Sequence, residues 1–229
     1  MAERTFFIPR VSFPYFEEKT VIFEYFPGFA LSQQQKSINS MHDAIAKTWS
    51  IGSVLEVSTK SECSVGVALS AFNLMLYSKG HGATVESVYQ SSKVFTKGGP
   101  YLDIALKSSM DAKKDERLKS SGDLLHFEHM GNVWPLVQSP NFYDFLYISA
   151  LCQSSLVAQI DDYEAFSDFA YSTRISKEKK GKSWNCQARS IAIFRGISCE
   201  VKPSEVLDNL RELALDSSRE LKHESLTLF

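Results

Sequence analysis

The residues of this chain best suited to do chemistry lie in the stretch 85–95, VESVYQSSKVF. If that stretch is helical, Glu86, Gln90 and Lys93 fall at about 0°, 40° and 340° around the axis. A carboxylate, an amide and an amine then share one narrow stripe. Val85, Val88 and Phe95 lie on the far side, with Tyr89 on the border. An acid and an amine set together beside a packed apolar face can act on a sugar. The plain alternative is a solvated helix face whose acid and amine happen to be seven residues apart.

Three other places hold polar groups in apolar surroundings. Leu69-Ser70-Ala71-Phe72-Asn73 puts a hydroxyl and an amide inside an apolar run, where burial without partners costs roughly 1–3 kcal/mol each. They either bond backbone or face a pocket. Asp168 sits between Phe166 and Phe169, as a surface carboxylate or a site residue. Trp184 to Ser190 (WNCQARS) places Asn185 at the start of a helix with Arg189 one turn on, after a basic loop. That combination suits phosphate capture, though a plain capped helix has the same pattern.

The elements that must position these residues can be read in outline. Lys19 to Phe26 alternates and is rich in β-branched and aromatic residues, which predicts a strand stopped by Pro27-Gly28. Ser32 caps a helix to about Trp49, with Ile38, Met41 and Ile45 inward. Val54 to Ser58 reads as a short strand, and Val65 to Tyr77 as strand or extended chain. The helix with the reactive stripe runs from Thr84, its cap, to Phe95. Tyr101 to Lys119 is helical in two pieces, its charged run 111–117 a solvated face. Leu124 to Leu136 makes two strands around Gly131-Asn132. Ser139-Pro140 opens a helix to about Ile160. Ala165 to Tyr171 is extended and 176–182 a charged, mobile loop. Asn185 caps a helix to Gly196, and a last amphipathic helix covers 204–221. The expected fold is α+β: a mostly helical single domain over 1–229 with a few short strands, residues 1–60 forming an N-terminal strand–helix extension.

The totals narrow the function. In 229 residues, 44% are hydrophobic and the formal net charge is −2. That suits one large core and lacks the strong basic footprint of a general nucleic-acid binder. No apolar run is long enough to span a membrane, and the N-terminus lacks a signal-peptide core. Cys63, Cys152, Cys186 and Cys199 have no paired spacing. They read as reduced cytoplasmic thiols with no metal site. The Walker, GxGxxG, GxSxG and HExxH patterns are missing.

Taken together, these segments resemble the NADAR (YbiA-like) family. Its helix pattern E-x-x-[YF]-Q-x-x-K is matched by Glu86, Tyr89, Gln90 and Lys93. Its LSNF-type stretch is matched by Leu69, Ser70, Ala71 and Phe72, and its later aspartate and helix-opening asparagine by Asp168 and Asn185. Between Gly28 and Phe194 the wording (PGFALSQQQKSI, ALSAFNLML, GGPYLD, FYDFLYISAL, NCQARS) is similar to the DarT-associated antitoxin branch. The resemblance implies a cofactor-free glycohydrolase. It would remove ADP-ribose from guanine bases in DNA, releasing free ADP-ribose and reversing a DarT-type toxin. Lys93 would be the nucleophile and Glu86 the general acid/base. Asp168 would hold Lys93 or a ribose hydroxyl. Gln90, Tyr89, Ser70, Phe72, Asn185 and Arg189 would bind substrate. The alternatives are an N-glycosidase of ribosylated riboflavin-pathway intermediates and a non-catalytic ADP-ribose-binding antitoxin.

Overall fold

The computed structural model describes residues 1–78, 80–136, 141–171, 185–199, 205–208 and 210. The fold is α+β. Its main sheet is built from β1 (Ala2–Pro9), β2 (Phe16–Phe23), β3 (Val54–Glu56) and β9 (Ala165–Ser167), in the order β2-β1-β9-β3. β3 and β9 run parallel, with Glu56 opposite Ser167; the other pairs are antiparallel. Three of the four strands therefore come from residues 1–60, which are built into one sheet with β9, the strand just before Asp168.

β1 escapes the sequence pattern because Thr5, Phe6 and Phe7 are all buried, so its centre does not alternate between apolar and polar. The pleat sends these neighbours to opposite faces. Phe6 joins Val21, Phe23, Ile38, Met41 and Ile45 beneath α1 (Leu31–Trp49). Phe7 faces the larger core, with Leu146, Tyr147, Ile191 and Phe194. α1 begins one residue before the expected cap, after Ala30. It ends at Ser50 in the left-handed region (φ 56°), whose N–H closes on Ala46 O, a common way for a helix to stop.

The run Val65 to Tyr77 is not one extended piece. It forms α2 (Ser64–Ala68), a tight turn, and β4 (Met75–Ser78), which pairs with β5 (His81–Thr84). Asn73 Nδ2 caps the Val67 carbonyl at 2.8 Å, Tyr147 Oη donates to Leu69 O at 2.6 Å, and Ala71 O accepts from Glu86 N at 2.9 Å. These tertiary hydrogen bonds override the strand propensity of a valine- and leucine-rich segment.

α3 (Val85–Ser91) follows β5 directly. Thr84 Oγ1 accepts from Ser87 N, and all seven helix residues are buried. The helix stops four residues short of the expected end. The hydroxyls of Ser91 and Ser92 both turn back onto Val88 O at 2.8 Å, and such local bonds compete with helix continuation. The chain then enters β6 (Lys93–Phe95), which pairs antiparallel with β7 (Leu124–His129), itself paired with β8 (Asn132–Trp134). Gly99 (φ +94°) lies so close that a Cβ there would come within 2.3 Å of Lys93 O, so only glycine fits at this approach.

Between β6 and β7 come a 3₁₀ turn (Leu102–Leu106), α4 (Ser109–Lys114) and α5 (Arg117–Ser120); the first two pack on α3. α6 (Phe142–Cys152) and α7 (Val157–Ile160) replace the single helix expected to Ile160. α6 starts from a capping box formed by Asn141 and Asp144. Ser139-Pro140, the expected start, lies outside the described residues, as do Trp184, the 176–182 loop and most of the last helix. α8 (Gln187–Ser198) has Cys186, not Asn185, as its N-cap, with no side-chain cap. Among the described residues no helix is long and apolar enough to cross a membrane.

Candidate active site

A cleft of about 1070 Å³ opens between α3–β6 on one side and the chain leaving β3 and β9 on the other. Eight of the nine predicted site residues line it: Glu86, Tyr89, Gln90 and Lys93 on one wall, Asp168 and Asn185 on the other, with Ser70 and Phe72 between. The ninth, Arg189, is not brought there. Its side chain is buried in α8, and Nη2 lies 3.2 Å from Asp144 Oδ2 and 3.3 Å from Oδ1. Ser190 Oγ donates to the same carboxylate at 2.8 Å. Arg189 therefore neutralises the carboxylate that caps α6, which corrects its assignment to a phosphate.

The stripe converges although Lys93 belongs to a strand. Lys93 Nζ donates to Gln90 Oε1 at 2.7 Å, and Gln90 Nε2 donates to Glu86 Oε1 at 2.9 Å. Both ends of the Gln90 amide are thus taken by its neighbours, and the side chain serves as a spacer between acid and amine. One amide hydrogen and one oxygen lone pair are left over for the substrate contact expected of it. Tyr89 is core on most of its surface, packed on Phe127, Phe142 and Tyr143 with ring centroids 5.1–6.2 Å away. Its remaining face carries Lys93 Nζ, 4.9 Å from the ring centre.

Burial lowers the Lys93 amine to about 8, with Glu86 opposing and Lys113 assisting. At pH 7 roughly a tenth of it is then neutral, against a few in ten thousand for an ordinary lysine. A neutral amine is a nucleophile; an ammonium is not.

Lys113, on α4, was read from sequence as part of a solvated face. Its Nζ reaches to 4.0 Å from Glu86 Oε1 and lies 5.0 Å over the Phe72 ring. It therefore places a second positive charge beside the first. Lys113→Met is expected to raise the titration midpoint of Lys93 by roughly half a pH unit, because a like charge that favoured proton loss is gone. Acylation footprinting of Lys93 across pH, read by mass spectrometry, checks this; an unmoved midpoint would refute the coupling.

On the opposite wall, Gln187 Oε1 accepts from Ala71 N at 2.7 Å. That contact orients the amide so that its NH₂ donates to Asp168. Asp168 Oδ1 also accepts from Ala170 N at 3.2 Å. Lys60, on the loop after β3, is close enough to pull Asp168 down, as Lys113 is, but burial outweighs both and raises this carboxyl. Sequence reasoning missed Lys60, Lys113 and Gln187. None carries a local pattern that separates it from an ordinary polar residue. It also missed Glu56, for which a signal existed: a lone carboxylate in the apolar run Val54 to Val57. A separate depression of about 670 Å³, near Trp49, holds none of the predicted residues.

A stripe of acid, amide and amine facing a cleft fits many sugar-directed proteins; the whole sequence is more specific. Residues 2–220 match the family described as the DarT1-associated NADAR antitoxin. The chain belongs to the DarT1-associated NADAR antitoxin family. Comparison with curated proteins finds no match. The description of the family associates its antitoxins with DarT1. Among the described residues no grouping of His, Cys, Asp and Glu has the makings of a metal site.

Proposed function

We propose that this NADAR antitoxin is an ADP-ribosyl glycohydrolase that frees guanine bases in DNA from ADP-ribose, undoing the modification made by its toxin. The observation that carries the reading is the Lys93 amine, lowered by burial to about 8 and aligned through Gln90 with Glu86, at the wall of a large cleft. The cleft volume, about 1070 Å³, is just above the roughly 300–1,000 Å³ usual for small-molecule sites. An adduct inside a duplex cannot reach such a recess, so the substrate is single-stranded DNA or an extruded base.

In this reading Lys93 Nζ attacks the anomeric carbon as the bond to the base nitrogen breaks, through an oxocarbenium-like transition state. Glu86 takes a proton from the alkylated nitrogen and returns one to the ring oxygen as the sugar opens to a Schiff base. Water adds to the imine, and collapse of the carbinolamine frees the lysine and ADP-ribose. Ser70, Phe72 and Asn185 border the sugar. Asp168, across the cleft, faces the departing side.

The decisive experiment incubates the protein with single-stranded DNA carrying ADP-ribosylated guanine, and separates the products. Release of free ADP-ribose and unmodified DNA in multiple turnovers is expected. Tight binding without release would replace the enzyme reading with that of a non-catalytic binder.

A further inference from the structure

The buried carboxylate Glu56 has no place in the mechanism above, yet three hydrogen bonds hold it. Its Oε1 accepts from Ser58 Oγ at 2.6 Å and from Phe169 N at 2.9 Å. Its Oε2 accepts from Ser167 Oγ at 2.6 Å. Ser167 has given its hydrogen away, so the 2.9 Å contact with His42 is an Nε2–H donated to the serine oxygen. Burial holds His42 far below its ordinary range, to about 4, and so keeps it neutral.

Two of these donors, Ser167 and Phe169, are the residues on either side of Asp168. Glu56 thus grips the chain immediately before and after the cleft carboxylate, from behind it. The β3–β9 pairing supplies the register, with Glu56 opposite Ser167. No lysine or arginine pairs with Glu56 among the described residues. A glutamine would grip backbone at far lower desolvation cost. What a carboxylate adds is negative charge beside Asp168, and neighbouring buried carboxyls retain a proton between them.

We propose that Glu56 is a positioning residue that sets Asp168 in the cleft and shares one proton with it, and that Asp168 passes this proton to the nitrogen of the departing base. The inference rests on the glycohydrolase reading. When the carbon–nitrogen bond breaks, its electron pair stays on the base nitrogen, which takes the Asp168 proton. Of the two hydrogens of the water consumed later, one remains on the new sugar hydroxyl and the other restores the pair. Burial raises both carboxyls, and the charge of Asp168 raises Glu56 further. The other groups facing the pair are Lys60 and Lys113, which favour ionisation of Asp168, and Tyr143, Tyr147 and Cys186, all uncharged near neutrality because burial raises each of them.

The test is Glu56→Gln in the full chain. Asp168 must be protonated to act, so activity is lost as pH rises through its titration. Removing the neighbouring charge lowers that titration, and the alkaline limb of kcat should move roughly one unit toward acid. At pH 8, kcat should fall by up to roughly tenfold with KM little changed. A variant whose limb stays in place, or which loses only KM, overturns the proposal. Should the variant fail to fold, pH-difference infrared spectra of the unaltered protein decide. A protonated-carboxyl band that titrates between about pH 6 and 8 is expected, and its absence also overturns the proposal. The infrared readout needs no turnover. If the unaltered protein shows the band but releases no ADP-ribose, the glycohydrolase reading is what has failed.

Discussion

Lys93→Ala is expected to reduce ADP-ribose release by roughly 10³-fold or more, while leaving the fold and the binding of ADP-ribose nearly intact. Lys93 begins β6 and its amine lies over the Tyr89 ring, so shortening the side chain removes one hydrogen bond to Gln90 and little packing. What it removes in chemical terms is the only amine hydrogen-bonded into the Glu86–Gln90 chain among the described residues. Lys93→Arg should be equally inactive, because a guanidinium stays charged and cannot form the imine. Borohydride added during turnover should convert the imine to a stable secondary amine and leave an ADP-ribosyl mass on Lys93. Near-normal turnover by the alanine variant would discard the covalent route. Near-normal turnover by the arginine variant alone would reduce Lys93 to a source of positive charge.

Arg189→Met is expected to cost about 3–5 kcal/mol of stability, the range for breaking a buried ion pair by removing one partner. Asp144 is fully buried, and both its oxygens face the guanidinium while it also caps α6. Methionine fills most of the volume but leaves the carboxylate without its counter-charge. Chemical denaturation should show a lower midpoint with an unchanged slope. Adding Asp144→Asn should recover part of the loss, since an amide at that site needs no cation. A single variant that keeps its midpoint but loses affinity for ADP-ribose would return Arg189 to a phosphate-binding role.

The part of the site that could be read from sequence is the part made by local periodicity. Glu86, Gln90 and Lys93 meet because a helix of seven residues sets the first two and the turn after it sets the third, which a helical projection approximates well. The projection fails where tertiary contacts take over. The serine hydroxyls that close on Val88 and the pairing of Lys93 with Phe127 end the helix early. Arg189 was misplaced for a related reason. It follows a helix start, but which way its side chain points is settled by Asp144, 45 positions earlier. Glu56 was overlooked because its meaning lies in Ser167 and Phe169, more than a hundred residues further on. The mostly helical α+β class was legible from the amphipathic segments, whereas β1, buried on both faces, carries no alternation to find.

The seating of β9 between β1 and β3 has a consequence for biosynthesis. This three-residue strand bonds on one edge to residues 6 and 7 and on the other to residues 54–56. A ribosome delivers those two flanking strands long before the segment that fits the gap, and loop closure over such distances is slow. Until residue 167 has emerged, the slot stays empty and the aspartate that follows it has nowhere to dock. A nascent chain that stops short of Asp168 therefore lacks one wall of the cleft, however well its earlier part has folded.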